Sequence, residues 1–404
     1  MTLDARTQAP GSGRPHRARP AISTTPAAET QPRQAATPEK PVGQIVLVLQ
    51  GGGALGAYQA GVYQGLTEGG IEPDWVIGTS IGAINGALIA GNAPGRRVER
   101  LQEFWSRLGN SRGFDEAWSS AFFAGALANL HPLTQGVAGF FAANPHAPWG
   151  LPFPVGIERA AFYTTEPLER TLAELVDFDH LNRRQTRLTV GAVNVRSGEM
   201  RYFDSRDMAL APAHIMASGA LPPGFPAVRI DGEPYWDGGL YSNTPVEVVL
   251  DDDPRRDSLI ISVNMWQPSG SEPGTIWQVL GRQKDIQYAS RGKSHVMRQE
   301  QLHRLRHVIR ELGKRLSEED RNRPEVRELL GYGCGSTMHL VRLLSPRLDR
   351  EDHTKDIDFT RTGIRTRWQA GLEHARRVIA EQPWICHVDP LQGVLIHESP
   401  DERA

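Results

Sequence analysis

A serine lies between two glycines where an apolar stretch gives way to small residues typical of a helix. Residues 76–85 hold Gly78, Ser80 and Gly82 in this arrangement. A serine hydroxyl is a weak nucleophile until a base removes its proton, and enzymes that use one present it on a sharp strand-to-helix turn. Glycines permit such a turn, and free N–H groups at the start of the helix would face the attacked group. The spacing predicts that Ser80 is a nucleophile.

A run of glycines follows another apolar stretch earlier in the chain. Its members are Gly51, Gly52, Gly53 and Gly56. Backbone N–H groups in such a loop can face an anion, and in hydrolases the loss of one oxyanion donor costs about 2.7–4 kcal/mol. We therefore expect this loop to form the oxyanion hole for Ser80. The alternative is a tight turn without a chemical role.

The same glycines also match a dinucleotide-binding fingerprint, Gly-x-Gly-x-x-Gly after a strand. That function needs a carboxylate at the carboxyl end of the next strand, where it would bind a ribose. Glu72 and Asp74 have a suitable separation from the glycines, but both precede the strand predicted at residues 75–77. The acidic residues therefore lie at the wrong end of the strand, and the pattern disfavours nucleotide binding.

A carboxylate followed by two glycines stands far downstream, at Asp237, Gly238 and Gly239. An aspartate brought beside Ser80 could orient and deprotonate its hydroxyl without a histidine. Asp-Gly is also a common turn dipeptide. The presence of the two earlier motifs favours the catalytic interpretation.

Together these motifs resemble the patatin-like phospholipase family, and the resemblance runs from about residue 44 to residue 265. Residues 217–226 also resemble the segment that precedes the aspartate strand in that family. The resemblance implies that Ser80 is the nucleophile and Asp237 its partner, and that Gly52 and Gly53 supply the oxyanion donors. It further implies a lipid acyl hydrolase with a three-layer fold that needs neither a metal nor an organic cofactor.

One position departs from the family pattern. Many members carry Arg or Lys where this chain has Leu55, so a positive charge near the oxyanion loop is missing. A neutral acyl ester is therefore as plausible a substrate as a phospholipid.

A Ser-Asp-His triad is the mechanistic alternative. Several histidines follow Asp237, but none lies in a distinctive loop after a predicted strand. His214, on a predicted helix near the site, is more typical of a packing residue. The favoured mechanism needs no histidine.

The alternation of apolar strands and helical stretches from residue 42 onward predicts an α/β fold with a mostly parallel central sheet and helices on both faces. We expect residues 1–41 to be a disordered tail, because they hold few large apolar side chains. Residues 42–270 would form the catalytic domain and 271–404 a mainly helical extension packed on it. Within the first, residues 110–160 would form a lid or lipid-contact insertion, or pack on the domain's flank.

One helical stretch of the extension is basic with an apolar stripe. The stripe consists of Leu302, Leu305, Ile309, Leu312 and Leu316. We expect it to face the core, with an anionic lipid surface or a partner helix as alternatives.

The composition of the 404-residue chain excludes few classes of function. A formal charge of −2 predicts no attraction to nucleic acid. Cys334 and Cys386 lack metal-ligand spacing and are expected to pack as small apolar groups in a reducing compartment. No apolar run reaches the roughly 18 residues of a membrane span, so any membrane contact would be peripheral and we expect a cytoplasmic protein. The oligomeric state cannot be inferred.

The sequence thus predicts a serine hydrolase of fatty-acyl esters. The alternative from another class is a non-catalytic lipid-binding or scaffold protein that keeps the same turn as architecture.

Overall fold

A computed structural model describes residues 43–110, 136–348 and 351–398, without the side chains of 290–295. The tail predicted at 1–41 lies outside the described residues, as does the first part of the insertion predicted at 110–160. No helix of the described ranges combines the length and apolar character needed to cross a membrane.

Twelve strands are described. They are β1 (Gln44–Leu49), β2 (Trp75–Gly78), β3 (Gly136–Val137), β4 (Phe141–Ala143), β5 (Tyr163–Thr164), β6 (Arg187–Asn194), β7 (Met200–Asp204), β8 (Val228–Ile230), β9 (Glu233–Asp237), β10 (Ser258–Asn264), β11 (Met338–Leu344) and β12 (Val394–Glu398). Nine of them form one sheet in the order β12-β11-β10-β1-β2-β6-β9-β8, with β7 also paired to β6. The pairs from β12 to β6 are parallel, whereas β7, β8 and β9 pair antiparallel.

The helices of the described ranges surround this sheet. They are α1 (Ala57–Glu68), α2 (Ile81–Ala90), α3 (Pro94–Gly109), α4 (Ala147–Gly150), α5 (Glu166–Leu175), α6 (Phe178–Asn182), α7 (Pro212–Ser218), α8 (Glu247–Leu250), α9 (Ile276–Arg315), α10 (Glu318–Arg321), α11 (Pro324–Gly331) and α12 (Arg361–Glu381), with 3₁₀ turns at Gly53–Gly56, Gly238–Leu240 and Lys355–Ile357.

Both faces of the sheet are buried. Side chains alternate along a strand, so Leu47 and Leu49 of β1 pack in the core that contains α1, α2 and α3. Val46 and Val48 pack in a second core with residues of α8 and α9. The predicted α/β class, with helices on both faces of a mostly parallel sheet, is confirmed.

The chain after residue 271 is built into this sheet as well as packed on it. β11 and β12 extend the sheet beyond β10, and α12 packs closely on α1. A Cβ atom on Gly61 would lie 1.9 Å from the Trp368 carbonyl oxygen, and one on Gly371 would lie 2.1 Å from that of Tyr58. The two helices approach this closely only because both positions lack a side chain.

The prediction for the apolar stripe of α9 is wrong. Leu302, Leu305 and Leu312 are substantially exposed, and the helix instead turns His303 and His307 inward. His303 pairs with the Leu250 carbonyl at 2.8 Å, and His307 pairs with two further carbonyls. Buried backbone carbonyls need donors, and each of these imidazoles can donate a ring N–H to one of them.

The described part of the predicted insertion contributes β3 and β4 to a small antiparallel sheet that β5 completes. Phe140 and Phe141 are buried there and pack against Phe225, whereas Trp149 and Leu151 are exposed. The insertion therefore has both a core-facing and a solvent-facing apolar part. Phe122, Phe123, Leu127 and Leu130 lie outside the described residues.

Candidate functional site

Ser80 lies on a strained turn between β2 and α2. Its φ of 57° and ψ of −125° are unusual for a residue with a side chain. The flanking glycines make this turn possible, because a Cβ atom on Gly78 would lie 2.3 Å from the Gly82 carbonyl oxygen and one on Gly82 would lie 2.2 Å from that of Leu49. The turn thus leaves no room for larger residues at either glycine.

Hydrogen bonds to the end of α7 hold the backbone of this turn. The Ser80 N–H donates to the carbonyl and the hydroxyl oxygens of Ser218 at the end of α7, both at 3.1 Å. The Ser218 hydroxyl in turn donates to the Gly191 carbonyl of β6 at 2.7 Å. The strained conformation of Ser80 is therefore fixed by contacts to two other elements.

Sheet topology brings Asp237 to Ser80. β2 pairs with the first half of β6 and ends at Gly78, opposite Val190. β9 pairs with β6 further along and runs the opposite way, with Asp237 opposite Ala192. The carboxyl ends of β2 and β9 therefore face each other along β6. Ser80, which follows β2, and Asp237, the last residue of β9, meet in the gap between the two strands.

The Ser80 hydroxyl faces the Asp237 carboxylate across this gap, near enough to lower the pKa of that carboxyl. Asp237 is 2% exposed, and its Oδ1 accepts a hydrogen bond from the Gly239 N–H at 2.7 Å. Burial raises the pKa of Asp237 to about 7, although the Ser80 hydroxyl and the Gly239 N–H act to lower it. A carboxylate with this pKa can accept a proton near neutral pH.

The glycine loop passes directly beside the serine. A Cβ atom on Gly51 would lie 3.1 Å from that of Ser80. The Gly51 N–H donates to the Asn243 carbonyl at 3.1 Å, and its own carbonyl accepts from Asn243 Nδ2 at 3.1 Å and from Trp266 Nε1 at 2.7 Å. Within the described ranges no acceptor faces the N–H of Gly52 or Gly53, so these two donors remain open to a bound group.

Residues of the extension hold the outer side of this loop. Gly53 has a φ of 56°, and a Cβ atom there would lie 2.3 Å from the Asp356 carbonyl oxygen. The 3₁₀ turn Lys355–Ile357 is tied to α9 by two crossed ion pairs, Lys284 with Asp356 and Lys355 with Asp285, each at 2.8 Å. α9 also brings Tyr288 close to the site, where burial and then the Asp237 charge raise the pKa of the Tyr288 phenol.

The alternatives from the sequence do not gather at this site. Glu72 pairs with Arg97 at 2.7 Å, and Asp74 accepts a hydrogen bond from the Ile45 N–H at 2.8 Å. Both acidic residues precede β2. His214 receives the Ala211 N–H at 2.9 Å and packs on Phe203. Among side chains that the structure describes, no histidine hydrogen-bonds to Ser80 or Asp237.

Sequence reasoning missed several residues that build the site. Asn243, Trp266 and Ser218 hold the glycine loop and the serine, and Gln50 accepts from the Met265 and Trp266 N–H groups at 2.5 and 3.2 Å. All act through buried contacts to backbone atoms distant in the sequence. Their spacing alone carries no signal, although Ser218 lies within residues 217–226, which the family resemblance includes.

Comparison with known proteins identifies the chain's relatives. A family model described as Patatin-like phospholipase matches residues 47–250, half of the chain, and one described as Patatin phospholipase matches residues 286–391. Lysophospholipase NTE1 of Mycosarcoma maydis is 29% identical over 51% of this chain and 9% of that protein. Patatin-like phospholipase domain-containing protein 6 of Homo sapiens is 43% identical over 16% of this chain and 5% of that protein. The chain thus spans less than a tenth of the length of either relative.

Among solved structures, VipD from Legionella pneumophila is similar at a TM-score of 0.39 and 14% identity, over 84% of this chain and 67% of that one. The family models match residues 47–250 and 286–391, and they show that the chain belongs to the patatin-like phospholipase family.

Proposed function

We propose that this protein is a serine hydrolase of fatty-acyl esters of lipids, of the phospholipase A or lipid acyl hydrolase type. Ser80 Oγ attacks the ester carbonyl while Asp237 takes its proton. The N–H groups of Gly52 and Gly53 stabilise the negative oxygen of the tetrahedral intermediate. No metal or organic cofactor takes part in this mechanism.

The intermediate collapses when Asp237 returns the proton to the departing alcohol, which leaves the acyl group on Ser80. Water then attacks the acyl-enzyme with Asp237 again as the base. The proton passes back to Ser80 as the fatty acid leaves. Each step needs only one group that both accepts and donates a proton.

The approach of the Ser80 hydroxyl to the buried carboxylate of Asp237 is the observation that carries this proposal. Burial holds the pKa of Asp237 at about 7, where a general acid and base is most effective. A carboxylate serving only as a turn residue would gain nothing from being buried beside a hydroxyl on a strained turn. The names of the relatives, which include a lysophospholipase, support a lipid substrate.

Substrate choice is proposed at the level of the acyl ester. Leu55 is 1% exposed, so the position that is often basic in the family presents no charge to a headgroup. Lys355 is the nearby cation over Trp266, but it is paired with Asp285. We therefore propose that neutral esters as well as phospholipids are substrates.

We further propose peripheral contact with a lipid surface by a cytoplasmic protein. Trp149, Leu151 and Phe153 lie together in the segment between β4 and β5 and are 63%, 76% and 60% exposed. Large apolar side chains this exposed are typical of lipid or protein contact. Phe141 of β4, the strand that precedes this segment, packs on Phe225, which follows α7 in the chain.

The alternative from another class is a lipid-binding or scaffold protein that keeps this turn as architecture. It predicts an unreactive Ser80 hydroxyl, and the experiment on Ser80 distinguishes the two functions.

Replacing Ser80 with Ala should lower hydrolysis of a chromogenic fatty-acyl ester by ~10³-fold or more, because the nucleophile is lost. A fluorophosphonate should label the wild-type protein at Ser80, as shown by peptide mass mapping, and leave the Ala variant unlabelled. Ser106→Ala, an exposed serine on α3, is the matched control and should keep both properties. Undiminished hydrolysis by the Ser80 variant would contradict the assignment, and an unlabelled wild type would favour the scaffold alternative.

Hydrolysis should depend on the ionisation of Asp237. Because the base must be deprotonated, kcat/KM should fall about tenfold per pH unit below a pKa of about 7. Asp237→Asn should abolish this activity at every pH. A pH profile flat between pH 5 and 8 would exclude Asp237 as the base.

The same substitution should raise stability. The folded state holds the Asp237 proton up to about pH 7, whereas in an unfolded chain the carboxyl has its usual pKa of 3.8. The wild type therefore loses stability as the pH rises through this window. The excess Tm of Asp237→Asn over wild type should therefore grow from pH 4 to pH 7. A pH-independent difference would contradict the raised pKa.

Replacing Trp149, Leu151 and Phe153 together with Ser should weaken sedimentation with phospholipid vesicles and slow hydrolysis of vesicle lipids. Hydrolysis of a soluble short-chain ester should stay unchanged, since these side chains lie outside the catalytic residues. Trp277→Ser, at another exposed tryptophan, serves as the control. Vesicle binding lost in the control and kept in the triple variant would place the contact on α9 instead.

A further inference from the structure

Two histidines and a cysteine meet at the edge of the sheet farthest from β8. His339 belongs to β11, His397 belongs to the edge strand β12, and Cys386 lies in the segment that follows α12. His339 Nδ1 and His397 Nε2 are 3.0 Å apart. One ring nitrogen of each histidine and Cys386 Sγ all lie within 4.8 Å of one another. Within the described ranges, no other group of three potential metal ligands is this compact.

Strand register explains why the two imidazoles share a face. Val341 of β11 pairs with His397 of β12, and His339 precedes Val341 by two residues, so all three point the same way. Val341 packs in the core with residues of α12. The rings of His339 and His397 stack with centroids 5.3 Å apart and planes at 9°. Cys386 reaches them because α12 ends beside this face.

The alternation also keeps positive charge away from the cluster. Arg342 of β11 points to the opposite face, where it pairs with Glu398. The carboxylate of Asp257 lies near enough to act on His339. An anionic neighbour favours a bound metal ion over a bound anion.

The three side chains are a donor set suited to zinc. Thiolate and neutral imidazole are its usual ligands at about 2.3 and 2.0–2.1 Å, which places donors around a tetrahedral ion about 3.3–3.8 Å apart. The cluster spans 3.0–4.8 Å, so small side-chain movements complete that geometry. The thiolate disfavours hard cations such as Mg²⁺ and Ca²⁺.

We propose that His339, Cys386 and His397 form a Zn²⁺ site whose fourth position is open to water. The ion would join three elements: β11, β12 and the segment after α12. It would thereby fix the last strand of the sheet to the helix that packs on α1. The site is separate from Ser80 and Asp237, so it does not depend on the proposed hydrolysis.

This site corrects the sequence-based expectation for the cysteines. Cys386 is exposed and lies beside two histidines, so it does not pack as a small apolar group. Cys334 is half-buried and accepts the Ser336 N–H. The ligands come from three separate elements, which is why no local spacing motif indicates them.

The test uses the full chain, stripped of metal with a chelator and titrated with Zn²⁺ against a chromogenic competitor, and separately with Co²⁺. Wild type should bind one equivalent of Zn²⁺, and the Co²⁺ form should show a thiolate-to-cobalt charge-transfer band. Cys386→Ser should lose the band, whereas the matched control Cys334→Ser should keep it. His397→Asn should weaken Zn²⁺ binding by at least ~100-fold, since loss of an outer-shell partner alone costs about 10–100-fold.

Circular dichroism establishes that each variant remains folded. Zn²⁺ should also raise the Tm of wild type and Cys334→Ser without changing that of Cys386→Ser. Substoichiometric binding by wild type, or equal binding by the two cysteine variants, would overturn the proposal. In that case the imidazole contact is an ordinary hydrogen bond between neutral rings.

Discussion

The end-to-end meeting of β2 and β9 along β6 is the constraint on which the site depends. Parallel β2 and antiparallel β9 share one neighbour, and each ends where the other would continue. The serine after β2 and the aspartate at the end of β9 therefore meet in the gap between them. Their approach places a strained backbone at Ser80 beside a buried carboxylate at Asp237, two costly features that need the surrounding packing to persist.

The site also requires close contacts between backbone atoms at several glycines. Gly78 and Gly82 allow the turn at Ser80, and Gly53 lies against the Asp356 carbonyl. The glycine loop is clamped on one side by Asn243 and Trp266 and on the other by the 3₁₀ turn that begins at Lys355. The extension thus shapes the proposed oxyanion hole, which explains why its strands and helices are continuous with the sheet and core.

The family and the α/β class could be predicted because their signals are local. The spacing of the glycines indicates turns that leave no room for side chains. The alternation of strands and helices indicates a parallel sheet with helices on both faces. The roles of Ser80, Asp237, Gly52 and Gly53 stay predictions, although the structure brings Ser80 and Asp237 into contact. The prediction for the apolar stripe of α9 was wrong because this helix buries His303 and His307, which hydrogen-bond to backbone carbonyls, rather than the leucines of the stripe. Asn243, Trp266 and Cys386 gave no local signal, since each acts on residues that only the fold brings near.

A crystal structure of the fluorophosphonate adduct would test the central claim most directly, because the phosphonyl oxygen stands where the oxyanion would form. The account predicts a covalent bond to Ser80 Oγ, with that oxygen about 2.7–3.1 Å from the N–H groups of Gly52 and Gly53 and Asp237 still beside Ser80. An adduct on another residue, or an oxygen directed away from both glycine amides, would contradict it.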